Sequence, residues 1–217
     1  MIFMNQVDKY YNFEGQRRYI LKQQSMYFQS GFSYGLLGVN GAGKSSTIRL
    51  LAGLELPNSG SIRRDVRVSW PLGFANGFNP LMSGRENLKF VARAYGEDYE
   101  RILDFVADFS ELGAYLNQPI KTYSTGMTAR LAFGLSMAVE FDCYLIDEVV
   151  SVGDARFQQR CADVFEARRA RSNLIMVSHD MGMISNFCDR ALVLVDGELR
   201  PFGNVDEAIA SYMRLNK

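Results

Sequence analysis

The stretch from Gly38 to Ser46 has the residue types and the spacing of a phosphate-binding loop. The pattern G-x-x-x-x-G-K-[ST] is matched by Gly38, Gly43, Lys44 and Ser45, and the intervening and following positions are Val39, Asn40, Gly41, Ala42 and Ser46. Glycines let backbone N–H groups turn inward toward an anion, and a following helix N-terminus adds partial positive charge. Lys44 would then neutralise the β- and γ-phosphates of a nucleotide, and the Ser45 hydroxyl would bind Mg²⁺.

The residues on either side of this loop predict the strand and the helix that would hold it. Residues 32–37 are mostly apolar, as expected of a buried strand. Residues 46–54 place Ile48, Leu51 and Ala52 at helical spacing. A glycine-rich turn without a ligand is the alternative, and the strand–loop–helix context favours nucleotide binding over it.

Two adjacent carboxylates, Asp147 and Glu148, end a short apolar run that begins at Cys143. In a phosphate-loop protein, the first acid of such a pair holds Mg²⁺ and the second polarises the attacking water. A solvated strand end is the alternative. The phosphate loop upstream favours the catalytic interpretation.

His179 is the only histidine of the chain, and it closely follows the apolar run 173–177. We expect that run to form a core strand whose carboxyl end lies on the ligand-binding edge of the sheet. A histidine at a strand end is often structural. Its predicted place at this edge favours a contact with the γ-phosphate.

A second candidate anion site precedes a predicted helix over 128–139. The residues Ser124, Thr125, Gly126 and Met127 lie at its start, where the positive end of the helix dipole would face an anion. An ordinary helix cap is the alternative, because serine commonly precedes helices for that reason alone.

An aromatic stretch lies between two predicted antiparallel strands, 2–7 and 19–28. We expect residues 9–13 to form a loop, in which an aromatic ring could stack on a nucleotide base. Packing of tyrosines at the surface is the alternative.

Composition restricts the class of protein. The 217 residues suit one large domain, and 24 basic and 24 acidic residues give a net charge of zero. This balance argues against a nucleic-acid binder. Three widely spaced cysteines without a C-x-x-C pair predict reduced thiols. We expect no signal peptide, and no apolar run in the sequence is long enough to span a bilayer.

The order of predicted elements indicates an α/β core with a helical insertion. Short strands are expected at 60–62 and 66–70, and helices at 84–95 and 99–109. No strand-like run follows until Cys143, so we expect a helical subdomain at about 84–140. The predicted closing elements are strands at 191–195 and 198–201 and a helix at 205–213.

These sites, in this order, resemble the nucleotide-binding subunit of an ATP-binding cassette (ABC) transporter over essentially the whole chain. The resemblance implies an ABC-type phosphate-loop NTPase fold of class α/β, as one ATPase domain over residues 1–217. Such a fold has a mixed sheet, an antiparallel β subdomain and an inserted helical subdomain. The stretch Gly38–Ser46 is similar to the Walker A motif and 143–148 to Walker B.

The resemblance also implies roles for individual residues. ATP and Mg²⁺ would be the ligands, with the metal held by Ser45 and Asp147. Glu148 would activate water for attack on the γ-phosphate, and His179 would stabilise that phosphate. Tyr11 is the best match to the aromatic residue that stacks on adenine.

Other matched positions imply a head-to-tail homodimer. The stretch Ser124–Met127 is similar to the signature motif that completes the ATP site of the other subunit; Thr125 and Met127 depart from its usual Ser-Gly-Gly-Gln form. Asp154 lies where the family has its D-loop. The family also has a glutamine before the helical subdomain, but 71–83 contains none. Asn76 or Asn79 could substitute for it.

The subfamily is narrowed by three stretches that are similar to bacterial polysaccharide exporters, above all to the capsular polysaccharide export ATP-binding proteins: Trp70–Gly73, Ser83–Asn87 and Asp147–Phe157. This similarity implies a polytopic permease as partner, and indirectly periplasmic and outer-membrane export components. It implies a peripheral place on the cytoplasmic face of the bacterial inner membrane. We expect no nucleic acid and no appended carbohydrate-binding domain.

Three alternatives remain at the level of sequence. The chain could be the ATPase of a related O-antigen or teichoic acid exporter. It could be a soluble ABC ATPase acting on DNA or ribosomes, although it lacks the tandem cassettes or coiled-coil insertion typical of those proteins. It could be a catalytically silent module, against which the intact Lys44, Asp147, Glu148 and His179 argue.

Overall fold

The computed structural model describes residues 1–73, 77–147, 155–169 and 171–215. Its strands are β1 (Ile2–Phe13), β2 (Gln16–Phe28), β3 (Tyr34–Leu37), β4 (Ser59–Arg64), β5 (Val68–Pro71), β6 (Cys143–Asp147), β7 (Asn173–Val177), β8 (Arg190–Val195) and β9 (Glu198–Phe202). Its α-helices are α1 (Lys44–Ala52), α2 (Gly84–Tyr95), α3 (Tyr99–Ser110), α4 (Thr125–Ala138), α5 (Ala155–Arg169), α6 (Met181–Phe187) and α7 (Val205–Leu215).

The chain divides into two units. The first unit comprises 1–71, 141–149 and 172–217, and the second comprises 72–140 and 150–171. All nine strands named above belong to the first unit. The second unit contains the whole stretch for which the sequence predicts a helical insertion, and it also contains α5.

A six-stranded sheet in the order β5-β6-β7-β3-β8-β9 forms the centre of the first unit. Neighbouring strands are parallel except β8 and β9, so the sheet is mixed, as predicted. The strands β3, β6 and β7 are almost wholly buried, which explains their continuous apolar sequences. Because they are parallel, their carboxyl ends meet at one edge, where the chain reaches Gly38, Asp147 and Ser178.

A three-stranded antiparallel sheet in the order β2-β1-β4 completes the strands of this unit. Phe13 at the end of β1 pairs with Gln16 of β2, so the prediction of a loop over 9–13 is wrong. The turn consists of Glu14 and Gly15, with φ of 49° and 78°, which suits a two-residue hairpin. The aromatic residues before the turn favour extended structure and continue the strand.

One hydrophobic core joins both sheets of the first unit to α1. It includes Ile2, Met4, Val7, Ile20, Leu21, Leu36, Ile48, Leu50, Leu51, Leu145, Ile175 and Leu192. Because three residues of this short helix are fully buried, the start of α1 is fixed relative to the sheet edge. The loop that precedes α1 is therefore held at a defined place.

The described elements of the second unit are helical. The predicted helices at 84–95 and 99–109 are confirmed, with α3 extending to Ser110. Ser83 and Glu86 form a reciprocal capping box at the start of α2, and Asp98 caps α3 through the Arg101 N–H at 2.8 Å. Such caps satisfy N–H groups of the first turn, and this fixes where each helix begins.

The helix α5 has no counterpart among the predicted elements, and it packs within the second unit. Glu111, after α3, accepts hydrogen bonds from Arg156 and Arg160 of α5, both at 3.1 Å. Phe157 packs edge-on against Phe109 of α3, with ring centroids 5.2 Å apart. Contacts of both kinds attach α5 to the helices of the insertion.

The cysteines and the helices bear on the expectations drawn from composition. Cys143, Cys161 and Cys188 are free thiols. Burial raises the pKa of Cys143 to about 12 and that of Cys161 to about 11, so both stay protonated at neutral pH.

Within the described ranges, no helix has both the length and the apolar character that crossing a membrane requires.

Candidate nucleotide-binding site

The candidate phosphate loop lies between β3 and α1 and is shaped by two glycines with positive φ. The φ angle is 77° at Gly41 and 108° at Gly43, a region that residues with side chains rarely adopt. The Ala42 N–H closes the loop by donating to the Val39 carbonyl at 3.1 Å. The helix α1 begins directly after Gly43, and no side chain caps its first turn. This N-terminus can therefore receive an anion.

Close packing leaves no room for a side chain at two glycines of the loop. A Cβ atom at Gly43 would lie 2.3 Å from Cγ2 of Ile20 on β2, and one at Gly38 would lie 2.9 Å from the Leu194 carbonyl oxygen on β8. The two sheets thus press on the loop from separate strands and fix its path.

Lys44, the first residue of α1, is only 8% exposed. Its ammonium donates hydrogen bonds to the carbonyls of Gly38 at 2.7 Å and Val39 at 3.2 Å. Both carbonyls belong to the loop, so the charge lies where the motif would place the β- and γ-phosphates. Charge-assisted hydrogen bonds to phosphate are stronger than those to carbonyls, so phosphate oxygens can replace these partners.

Ser45 and Asp147 come together at the carboxyl edge of the sheet, as the sequence predicts. The Ser45 hydroxyl donates to Oδ1 of Asp147 at 3.0 Å. A hydroxyl and a carboxylate are the hard oxygen ligands that Mg²⁺ prefers. Among the described residues, no group of three or more His, Cys, Asp or Glu side chains could hold a metal by itself. The pair therefore fits a Mg²⁺ ion that takes its other ligands from phosphate and water.

His179 lies on the same edge of the sheet as Asp147. The strand β7 ends at Val177, which pairs with Asp147 of β6 in parallel register. Ser178 is buried and His179 is exposed. Asp180 then caps α6 by accepting from the N–H groups of Gly182 and Met183, at 2.8 and 3.2 Å. The cap fixes the chain direction immediately after the histidine.

Three residues that the sequence singles out lie outside the described residues. Glu148, the expected catalytic base, and Asp154, the expected D-loop residue, both follow β6. Asn76, one substitute for the missing glutamine, precedes α2. Their assignments stay predictions.

Asn79, the other residue that could replace the missing glutamine, makes hydrogen bonds within its own loop and with the following helix α2. Its side-chain oxygen accepts from the Leu81 N–H at 3.0 Å, and its backbone N–H donates to Oδ1 of Asn87 at 2.8 Å. The Nδ2 group of Asn87 returns a bond to the Asn79 carbonyl at 3.1 Å. These contacts organise the entry to α2 and give Asn79 a structural role.

A cleft of about 500 Å³ opens beside the phosphate loop. One side of it is the loop and the start of α1; the other is the hairpin of β1 and β2, with Tyr11, Asn12, Phe13, Arg18 and Ile20. Arg18 donates to the Gly41 carbonyl at 3.3 Å. Phe13 belongs to the aromatic stretch that the sequence singled out, but Arg18 and Ile20 were not predicted to line the cleft, because the hairpin turn was expected too early. The pair Glu14-Gly15 was the available signal.

Tyr11 lines this cleft, and its hydroxyl is held by contacts with Glu55 and Ser46. It donates to Oε2 of Glu55 at 2.6 Å and lies 3.3 Å from the Ser46 hydroxyl. Burial by itself raises the pKa of Glu55, but hydrogen bonds from Tyr11, Arg49 and Lys9 outweigh it and hold the pKa at about 2. Glu55 is therefore an anion at neutral pH.

The candidate signature residues lie at the start of α4, in the second unit. Ser124 is the N-cap residue, and its hydroxyl accepts from the Met127 N–H at 3.2 Å. Ser124, Thr125 and Gly126 are exposed. The preceding Tyr123 is anchored, because its hydroxyl donates to the Tyr115 carbonyl at 2.6 Å. The arrangement is a firmly held, solvent-facing helix N-terminus.

Comparison with known proteins agrees with this geometry. Residues 21–151 match the sequence profile of the family described as ABC transporter. The polysialic acid transport ATP-binding protein KpsT of Escherichia coli is 46% identical over 217 residues, which is 99% of this chain and 99% of that protein. The capsule polysaccharide export ATP-binding protein CtrD of Neisseria meningitidis serogroup B is 46% identical over 99% of this chain and 100% of its own length.

A solved structure supports the fold. An ATP-binding cassette described as a dimeric post-hydrolysis state bound to ADP and Pi superposes with a TM-score of 0.74. The match covers 92% of this chain and 96% of the other, at 19% sequence identity. The predicted fold is thereby confirmed.

Proposed function

The chain belongs to the ABC transporter family, and from that premise we propose that it is the ATP-hydrolysing subunit of a bacterial exporter of capsular polysaccharide. The observation that carries the proposal is the identity of 46% with KpsT and CtrD over nearly the full length of each chain. Their names place those proteins in polysialic acid transport and in capsule polysaccharide export.

The chemistry follows from the edge of the six-stranded sheet. Lys44 and the uncapped N-terminus of α1 bind the phosphates of ATP. Ser45 and Asp147, already in contact at 3.0 Å, would hold Mg²⁺, which would neutralise charge on the phosphates. Glu148 accepts a proton from the attacking water, and His179 binds the γ-phosphate from the end of β7. No covalent intermediate on the protein is needed.

The signature residues act on the ATP of a second subunit in our proposal. Ser124 and Gly126 lie at an exposed helix N-terminus, which is suited to a phosphate that arrives from outside the chain. A head-to-tail homodimer would supply that phosphate twice, once at each site. Hydrolysis would then require closure of the dimer, and closure would drive the permease.

The partners and the location follow from this role. A polytopic permease dimer holds the subunit at the cytoplasmic face of the inner membrane, and periplasmic and outer-membrane components complete the export route. The net charge of zero offers no general attraction to anionic lipid. The permease is therefore what brings the subunit to the membrane.

The decisive experiment is genetic. In an encapsulated host that carries this gene as its only copy, we expect deletion to leave polysaccharide inside the cell and none on the surface. Staining with anti-capsule antibody, before and after permeabilisation, separates the two pools. The wild-type gene should restore surface capsule, and Glu148→Gln should not. Glu207→Gln, which removes an exposed carboxylate on α7, is the matched control and should restore it.

Two outcomes would count against the proposal in different ways. Normal surface capsule in the deletion strain would refute capsule export. If surface O-antigen or teichoic acid were lost instead, the related exporter would be the correct assignment. Purified protein that does not hydrolyse ATP, even with its permease in membranes, would refute the enzymatic role itself.

A further inference from the structure

The hydroxyl end of Tyr11 belongs to a compact charged group that the ATPase chemistry does not use. We define this Tyr11 cluster as Lys9, Tyr11, Ser46, Arg49 and Glu55. We propose that Glu55 is a positioning residue, which holds the Tyr11 ring so that a single face is presented to the base of the nucleotide. The proposal rests on the proposed function, since it takes the ring to stack on the base of bound ATP.

Glu55 receives hydrogen bonds from three directions. Tyr11 donates to Oε2 at 2.6 Å, Lys9 lies 3.0 Å from the same oxygen, and Arg49 donates through Nε to Oε1 at 2.6 Å. Both carboxylate oxygens are thus engaged by short contacts. Each donor loses freedom because the acceptor is held by the other two, so the tyrosine hydroxyl has a fixed anchor.

Lys9 covers one face of the Tyr11 ring. Its ammonium is 5.0 Å from the ring centroid, within the range of a cation–π contact. The same ammonium donates to the Leu56 carbonyl at 3.0 Å, and the Lys9 side chain is only 11% exposed. A base that displaced this buried cation would break its contacts with Glu55 and with the Leu56 carbonyl, so stacking is directed to the opposite face.

The cluster also connects the ring to the phosphate loop. The Ser46 hydroxyl lies 3.3 Å from the Tyr11 hydroxyl and accepts from Arg49 Nη2 at 3.1 Å. Ser46 and Arg49 both belong to α1, which begins directly after the phosphate loop. The distance between the base-binding ring and the phosphate-binding loop is therefore set by side-chain contacts. A molecule with both a base and a triphosphate gains from that spacing, and a polyphosphate without a base does not.

The test compares ATP with inorganic tripolyphosphate, each titrated calorimetrically with Mg²⁺ into purified protein. Tyr11→Ala should weaken ATP binding about tenfold, since stacking of a base on an aromatic ring is worth roughly 1–3 kcal/mol. Tyr11→Phe and Glu55→Ala should each weaken it about fivefold, the usual value of one hydrogen bond. The double variant Tyr11→Phe/Glu55→Ala should bind ATP no more weakly than either single variant. Affinity for tripolyphosphate should stay within about twofold throughout.

Two further variants guard against a loss of structure. Glu55→Gln keeps an oxygen acceptor and the side-chain shape, so it should fall between wild type and Glu55→Ala. Glu198→Ala removes an exposed carboxylate that is paired with Arg200 at 3.2 Å, in the same unit but away from the cleft, and should bind ATP normally. Thermal unfolding of each variant without ligand shows whether the fold is intact.

Each adverse result has one meaning. If Glu55→Ala weakens tripolyphosphate as much as ATP, the cluster only supports the loop and the inference is wrong. If Tyr11→Ala weakens ATP but Glu55→Ala and Tyr11→Phe do not, the ring stacks without being positioned, and the inference again fails. If Tyr11→Ala binds ATP like wild type, the inference fails together with the stacking role. The ATPase proposal would still stand on Lys44 and Glu148.

Discussion

The molecule presents two helix N-termini as candidate phosphate sites, and they are built in opposite ways. At α1, Gly43 precedes the helix, no side chain caps the first turn, and the adjacent Lys44 is nearly buried. At α4, the Ser124 hydroxyl caps the helix at 3.2 Å from the Met127 N–H, and the first residues are exposed. The first N-terminus keeps donors available for an anion, whereas the second already satisfies one of its own.

We interpret the N-terminus of α1 as part of a phosphate site within one chain, and that of α4 as a contribution to the site of another chain. The phosphate loop has glycine conformation, a cation and the candidate Mg²⁺ ligands Ser45 and Asp147 within its own unit, so we expect it to bind a nucleotide without another chain. The start of α4 is a capped helix N-terminus that presents backbone dipole and a hydroxyl to solvent. Its proposed use depends on a phosphate brought by another subunit.

The largest effect is expected from Lys44→Ala, which should reduce ATP affinity by about a hundredfold or more. The ammonium supplies charge-assisted hydrogen bonds to the phosphates, each worth about 1.5–3 kcal/mol. The measurement is the rise in the unfolding temperature on adding ATP, which should vanish. Lys121→Ala, which removes an exposed lysine near the signature residues, is the control and should keep the rise. If ATP raised the unfolding temperature of Lys44→Ala as much as that of the wild type, the loop would not be the phosphate-binding site.

Ser124→Arg should abolish hydrolysis while leaving ATP binding to the phosphate loop intact. Arginine is too large for a residue in contact with a γ-phosphate, and it also removes the cap. Steady-state ATPase assays and ATP titration of the same sample measure the two properties. Loss of both together would indicate that α4 contributes to binding within one chain and would remove the contrast drawn above.

A mixture of Ser124→Arg and Lys44→Ala chains sharpens this test. In a head-to-tail dimer, the mixed pair contains one site with both defects and one site with none. We expect activity to return on mixing if one intact site suffices for turnover. Each variant alone should remain inactive. Ser124→Arg protein that hydrolyses ATP at the normal rate would refute the shared site.

Glu148→Gln should cut turnover by on the order of a hundredfold, because a positioned general base contributes about that much. ATP binding should be unchanged, since glutamine has nearly the same size. The variant should therefore accumulate an ATP-bound dimer, which size-exclusion chromatography with and without ATP would reveal. Wild-type turnover would exclude Glu148 as the base, and a permanent monomer would argue against closure across the two sites.

The parts of the site that the sequence predicts are those encoded within a few residues. The phosphate loop is one continuous stretch, and the contact of Ser45 with Asp147 follows from the rule that parallel strands end at one edge. Continuous apolar runs predicted the buried strands β6 and β7. Apolar residues at helical spacing among charged residues predicted the helices α2 and α3. Local periodicity carried these predictions.

What the sequence did not predict depends on contacts between distant residues. Glu55 meets Tyr11 and Lys9 only because β1 lies beside the chain that follows α1. The helix α5 was missed because its apolar positions are sparse, although Phe157, Cys161 and Phe165 recur at helical spacing. The two antiparallel strands were predicted, but their turn was expected too early, because a two-residue turn has little sequence signal beyond one glycine. Pairing and packing, which local patterns do not encode, decide these elements.

The smallest expected effect comes from separating the two roles of Ser124. Ser124→Ala removes the cap of α4, and Ser83→Ala removes the cap of α2 in the same unit, where the Ser83 hydroxyl accepts from the Glu86 N–H at 3.2 Å. Each should lower stability by about 1 kcal/mol, which is roughly 2–4 °C in unfolding temperature for a chain of this size.

Only Ser124→Ala should also slow hydrolysis, by about tenfold, since one hydrogen bond to a charged group would be lost. Ser124→Asp makes the contrast clearer. Aspartate is as good a cap as serine, so stability should return to the wild-type value, but its negative charge would repel the γ-phosphate and hydrolysis should fall further than in Ser124→Ala. The measurements are unfolding curves and ATPase rates of the wild type and of the three variants, Ser124→Ala, Ser124→Asp and Ser83→Ala. If activity tracked stability across the series, Ser124 would be only a helix cap, and the exposed start of α4 would lose its claim to be half of an active site.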